Sequence, residues 1–258
     1  QIRKIVDFRN ANEVFPDVDI AGGVSFFHWE KDTNGKTIVV NFDNGQIDEQ
    51  ERYLNDHHIF VRSNKAISII EKIRSRHTSN KYLSEKVSSR KPFGLPTNYK
   101  PSRAQNKTPC WFIQKIGLDN AKSEDLNDSK GYLNKWKILI PKAPIAGQTD
   151  FSKAIKIYYS GNVILAEPGQ ACTESWIVAG AFNTKQEAES FKKYLFTKTV
   201  RFLLLQGIIS QDITRKNFCF VPDLEIYDQD FTDVYLKELW NITDGECEII
   251  CDRILDTN

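Results

Sequence analysis

Two short segments of this chain set carboxylates beside a proline: Pro16-Asp17 with Asp19, and Pro222-Asp223 with Glu225. Acids at that spacing can hold a divalent ion and activate water for phosphodiester cleavage, the chemistry of a metal-dependent nuclease. Such a site needs two or three carboxylates and a lysine converging on the ion. Neither segment shows an acid-x-lysine element in a following strand. Ala21-Gly22-Gly23 lacks the spacing of a phosphate-cradling loop and reads as a tight backbone turn into the strand behind it. His57 and His58 are adjacent, point in different directions and read as surface residues. His28 lies in an apolar run and reads as packed or exposed rather than catalytic. Cys247 and Cys251 would stand one helical turn apart, without the nearby histidine or cysteine partners that would complete a metal set.

The elements that must position these groups are short. Residues 24–29 and 37–42 are apolar runs joined by a connection containing Asn34-Gly35, a strong hairpin signal. They predict a β-hairpin that closes one unit near Asp43-Asn44-Gly45, with the next unit opening over 47–54. Ser63-Asn64 caps a helix carrying Ile67, Ile70 and Ile73 at helical spacing. Residues 88–109 are rich in Ser, Pro, Gly, Asn and basic side chains and form a long loop, a common place for function. Strands are expected over 111–116, 136–140, 155–159, 163–166, 175–178 and 218–221, the last stopped by Pro222. Thr184 and Glu187 have capping-box spacing and open one long helix to about Leu205, with Ala188, Phe191, Leu195 and Phe202 as its buried stripe. Two short helices close the chain over 232–240 and 244–255, the second behind a capping box of Thr243 and Glu246.

The 258 residues are 40% hydrophobic and 27% charged, which fits a globular protein with ample core. No apolar run reaches the length of a membrane span, and no signal-peptide pattern opens the chain. Five cysteines without framework spacing predict free thiols and a reducing, cytoplasmic setting. Methionine is absent and the chain starts directly on a strand-like run, so a fragment of a longer protein is expected. The net charge is only +1, but it is unevenly spread. Between Lys72 and Lys107 the sole acid is Glu85, whereas the chain from Asp223 onward is acidic. A basic middle and an acidic tail suit a DNA-facing surface with a solvated far side, or a basic stretch that meets an acidic protein partner.

Six segments, taken in order, carry a family resemblance. They are Val14-Phe15-Pro16-Asp17-Val18-Asp19-Ile20-Ala21-Gly22-Gly23 continuing to Trp29, Ser88-Ser89-Arg90-Lys91-Pro92-Phe93-Gly94-Leu95-Pro96-Thr97-Asn98, and Trp136-Lys137-Ile138-Leu139-Ile140-Pro141-Lys142-Ala143. Cys172-Thr173-Glu174-Ser175-Trp176-Ile177-Val178, Phe196-Thr197-Lys198-Thr199-Val200-Arg201-Phe202-Leu203 and Ile213-Thr214-Arg215-Lys216-Asn217-Phe218-Cys219-Phe220-Val221-Pro222 complete the set. Each alone is weakly specific. In this order the chain resembles type II restriction–modification DNA adenine-N6 methyltransferases in which modification and target recognition share one chain, sometimes with an endonuclease.

The elements read as an α+β fold, and the resemblance divides it into the terminal β-hairpin of a methyltransferase catalytic domain over residues 1–45, then a mixed target-recognition domain over 46–258 with short strands, a long central helix and an acidic helical tail. The family binds the donor S-adenosylmethionine at a glycine-rich loop and the target amine at an Asn-Pro-Pro-Tyr type motif. Neither occurs here, nor any Pro-Pro pair. The chain is therefore expected to be inactive alone and to act with double-stranded DNA and the remainder of the methyltransferase chain, as a monomer on an asymmetric site. Phe15 matches the family aromatic that stacks on the flipped adenine. An extruded base needs such a π-face to replace its lost stacking, although a phenylalanine at the mouth of a strand also suits a core. Asp17 and Asp19 would then border the pocket or order its loop. For DNA reading the resemblance points first to Arg90, Lys91, Thr97 and Asn98, then to Gln211, Thr214, Arg215 and Lys216, and last to Lys142 and Thr173. Arginine forks onto guanine, asparagine pairs with adenine, and lysine clamps phosphate. Arg201, in an apolar helix, reads as a buried partner of Glu174.

Overall fold

The computed structural model describes residues 1–256 apart from 19, 44, 146, 147, 149, 158, 159 and 211. Its centre follows from two nearly continuous apolar runs. These form β7 (Trp136–Pro141) and β10 (Trp176–Phe182), paired antiparallel, with β8 (Ile164–Ala166) on the other side of β7. Their side chains alternate between two cores. Ile138, Ile140, Ile177 and Ala179 face a helical layer, while Leu139 and Val178 face a second sheet. A sheet covered on both faces has no need of polar alternation, which explains both runs. Each fully buried Ile or Leu contributes about 1.5–3 kcal/mol.

The second sheet has the order β6-β5-β9, from β5 (Lys107–Trp111), β6 (Leu118–Lys122) and β9 (Ala171–Cys172). The strand expected over 111–116 thus pairs earlier in sequence, and the long loop gives up its end to β5. That loop follows a one-turn helix, α2 (Leu83–Lys86), and is anchored rather than solvated. Phe93 and Leu95 are buried in the core between the two sheets, and Val178 N donates to Ser88 Oγ at 3.0 Å.

Lys137, on β7, is fully buried and donates to the carbonyls of Leu133 (3.1 Å), Lys135 (2.6 Å) and Glu167 (3.0 Å). Desolvation pushes its amine down to about 8. Below that pH the folded state carries a buried charge that the unfolded chain hydrates freely. The handicap is relieved as pH rises from about 8 towards the ordinary lysine value. Wild type should therefore gain on Lys137→Met by about 2–3 kcal/mol between ~pH 7 and ~pH 10. A pH-independent difference in urea midpoint between the two proteins would contradict a buried amine that titrates low.

The first sheet has the order β2-β1-β3-β4. It contains β1 (Ile2–Phe8), β2 (Val24–Trp29), β3 (Thr37–Asp43) and β4 (Gln46–Arg52). The expected hairpin between 24–29 and 37–42 does not form. β1 lies between those strands, antiparallel to β2 and parallel to β3, so the Asn34-Gly35 segment crosses over a strand. Turn chemistry is local, but the choice of partner is not. The buried Ile5 of β1 sits in register with the buried Val39 of β3 and takes the central position. The two-residue hairpin lies one strand later, from Asp43↔Gln46, with Gly45 at φ 77°. The expected boundary between residues 45 and 46 falls inside that hairpin, and 47–54 completes this sheet.

Helix α1 (Asn64–Arg76) starts where expected, but Ser63 supplies no side-chain cap. Asn64 N donates instead to Asn41 Oδ1 at 2.8 Å, while Asn64 Nδ2 donates to the carbonyls of Val39 (2.8 Å) and Asp48 (3.1 Å). Buried amides therefore fix the first sheet to the helical layer.

The long central helix is two helices, α3 (Lys185–Phe196) and α4 (Lys198–Gly207). The Thr184–Glu187 capping box and the buried stripe are as read from the sequence. The break comes at Thr197, whose side chain caps α4, and Asp233 accepts from Lys198 N (2.9 Å) and Thr199 N (2.8 Å). A carboxylate there satisfies amides that helix geometry orphans. Helices α5 (Asp233–Trp240) and α6 (Asp244–Arg253) close the chain, α6 behind the expected capping box. Residues 218–221 are not a strand: a 3₁₀ turn spans Arg215–Phe218 and only Pro222 makes a bridge, to Tyr82. Of the strand expected over 155–159, Ile155 makes one bridge to Ile254, and residues 158 and 159 lie outside the described residues.

Candidate nucleic-acid interface

Segments far apart in sequence meet where the chain passes from β9 to β10. Glu174 sits on that passage, its amide donating to the carbonyl of Leu95 at 2.9 Å. This brings the loop after α2 across it. At the end of β7, Lys142 N donates to Ser175 O (3.3 Å), and Ile213 N donates to Lys142 O (2.7 Å). Four stretches are thus laced together by backbone hydrogen bonds, and they carry Arg90, Lys91, Lys142, Thr173 and Thr214.

The side chains form one charged network. Glu174 Oε1 lies 3.1 Å from Arg90 Nε, and its Oε2 lies 3.9 Å from Lys91 Nζ. Asp212 Oδ2 lies 3.6 Å from Arg90 Nη2 and 3.5 Å from Lys142 Nζ. The partner of Glu174 is therefore Arg90, not Arg201. Arg201 is buried elsewhere and donates to the carbonyls of Phe196 (3.0 Å), Thr197 (3.3 Å) and Leu255 (2.6 Å). Three cations on two carboxylates leave a local positive excess on an exposed rim.

The other residues named from sequence divide by exposure. Arg215, Lys216 and Asn98 are exposed and Thr97 is half-buried. Thr214 is committed to the turn, its amide and hydroxyl both donating to Asn217 Oδ1 (2.6 and 3.1 Å). Thr173 is fully buried and its hydroxyl has no hydrogen-bond partner among the described residues, so it underlies the cluster rather than presenting a donor to solvent. Gln211 lies outside the described residues. Sequence reading missed Asp212 altogether. The only signal was an acid between two basic loops, which a linear pattern does not distinguish from a solvated charge.

Phe15 is not in this cluster. It lies in the connection between β1 and β2, 44% exposed, so it is not a core residue in this chain. The first sheet also exposes large apolar side chains: Phe27 (69%) and Trp29 (57%) on β2, and Ile47 (64%) on β4 at the other edge. Strand β2 is also an edge strand, with one row of backbone groups unpaired.

The acids beside Pro222 have other duties. Asp223 is buried and accepts from Lys86 Nζ (2.9 Å) and the Tyr227 hydroxyl (2.8 Å), while Glu225 pairs with Lys81. Asp17 sits at φ 68° in an exposed turn, and Asp19 lies outside the described residues. Among the described residues no cluster of three or more His, Cys, Asp or Glu is placed to hold a metal ion. The five cysteines are free. His57 is not a surface residue: its side chain is only 8% exposed, packed edge-on to Phe220 and 3.3 Å from Glu71. Burial lowers its pKa more than that carboxylate raises it.

No protein-family model matches the chain, and a search of curated proteins finds no match. Among the described residues no helix is long and apolar enough to cross a membrane.

Proposed function

We propose that this chain is the target-recognition part of a restriction–modification DNA adenine-N6 methyltransferase. It holds double-stranded DNA, selects the site and helps receive the flipped adenine. The observation that carries this reading is the convergence of the adjacent Arg90 and Lys91 with Lys142 from a separate segment, together with the exposed Arg215 and Lys216 in the turn that follows Ile213. Lysines on such a rim neutralise phosphates. An arginine whose Nε is oriented by a carboxylate is fixed well enough to read a base edge.

The exposed Phe15 and the exposed apolar side chains of β2 fit a region covered by the remainder of the methyltransferase chain. Phe15 then forms one wall of a base pocket completed elsewhere. The Gly22-Gly23 turn does not fit S-adenosylmethionine: a Cβ on Gly23 would stand 2.1 Å from the carbonyl oxygen of Phe8, so this turn is closed against β1. On this reading donor binding and methyl transfer belong to the remainder of the methyltransferase chain.

The test is binding of a labelled mixed-sequence duplex followed by anisotropy at several salt concentrations. Wild type should bind and weaken steeply with salt, and Arg90→Ala or Arg215→Ala should each cost about 1–3 kcal/mol. The chain alone should not cut DNA. Failure of wild type to bind any duplex at low salt would favour a protein-interaction role. Magnesium-dependent cleavage would favour a nuclease.

A further inference from the structure

Given the DNA-recognition role proposed above, we infer that Asp212 is an internal stand-in for a DNA phosphate: it bridges Arg90 and Lys142 in the free protein and is displaced when duplex binds. The two carboxylates of the network are not equivalent. Glu174 is 14% exposed, approaches Arg90 Nε at 3.1 Å and is held by its backbone to Leu95. It stays in place and orients the guanidinium. Asp212 is 42% exposed and reaches both of its cations only at 3.5–3.6 Å, beyond good hydrogen-bond length. Ion pairs of that kind are nearly balanced by hydration and are easily exchanged.

A phosphate oxygen between the same arginine and lysine would form shorter, charge-assisted bonds. The exchange needs little backbone movement, because Ile213 N remains tied to Lys142 O at 2.7 Å while the Asp212 side chain turns away. The consequence is selectivity against weak anions. Only a ligand that outcompetes Asp212 gains Arg90 and Lys142 together.

The measurement is anisotropy titration of a fluorescein-labelled mixed-sequence duplex over a range of potassium chloride concentrations. Asp212→Asn should bind roughly threefold tighter or more than wild type, with a steeper dependence of log affinity on log salt. The gain should shrink in a Lys142→Gln background. Asp230→Asn removes the same charge from an exposed pair with Lys193 at 2.7 Å and should leave affinity unchanged. Equal affinity of Asp212→Asn and wild type, or an equal gain in Asp230→Asn, overturns the inference and leaves the DNA-binding role standing. A wild type that binds no duplex overturns both. If the asparagine variant melts early, Asp212→Ser gives the same comparison.

Discussion

Gly207→Ala is expected to destabilise the protein by about 3 kcal/mol and to weaken DNA binding with it. Gly207 ends α4, and the backbone of Asn217 lies directly on it. A Cβ built at this position would stand 2.0 Å from the Asn217 carbonyl oxygen and 2.9 Å from its carbonyl carbon. The contact is with backbone, so no side chain can rotate to relieve it. Alanine favours a helix over glycine by about 1 kcal/mol, and overpacking outweighs that gain.

The segment that must move is held on both sides. Asn217 Nδ2 donates to Gly207 O at 2.6 Å, and Asn217 Oδ1 accepts from Thr214. Displacing it shifts Thr214, Arg215 and Lys216 and pulls on the Ile213–Lys142 bond that helps assemble the interface. Urea denaturation and duplex titration read the two effects. An unchanged or raised midpoint would mean that the helix end and the turn are not in contact.

Arg201→Met is the second large effect, a loss of about 3–5 kcal/mol. Arg201 is 2% exposed, and burial lowers its pKa. Its Nε donates to Phe196 and Thr197 at the break between α3 and α4, and its Nη1 donates to Leu255 after α6. One guanidinium therefore fastens the end of the chain to the break in the helix. Methionine fills much of the same space but leaves the carbonyls of Phe196 and Leu255 without the guanidinium, while Thr197 O keeps the amide of residue 201. Arg201→Lys should fall between the two, because a single ammonium cannot follow the planar fork. Limited proteolysis should show the residues after α6 cut first in Arg201→Met, and wild-type-like melting and cutting would refute the role given to this side chain.

These two positions show how much was legible beforehand. The buried stripe of α3 and α4 and the capping boxes at Thr184 and Thr243 could be read because their partners lie within four residues of one another. The runs of β7 and β10 were legible as strands because consecutive apolar residues need no distant partner to mark them. Arg201 was legible as buried, because it interrupts an apolar helix. Its partners were not, since the carbonyls it serves come from a helix break and from residue 255, and neither has a sequence signature. Arg90 and Lys91 were legible as a basic loop, but not that Glu174 would orient them or that Asp212 would oppose them.

The sequence by itself determined most helix starts, the strand character of the runs in β7 and β10, and the division into basic middle and acidic tail. These depend on periodicity, local hydrogen bonds and charge. Only the tertiary structure decided that β1 lies between β2 and β3, that Asp233 helps cap a second helix at Thr197, and that Glu174 and Asp212 flank Arg90. In each case several partners of similar local fitness were on offer. The choice fell to whichever one burial and backbone hydrogen bonding across the whole chain brought within reach.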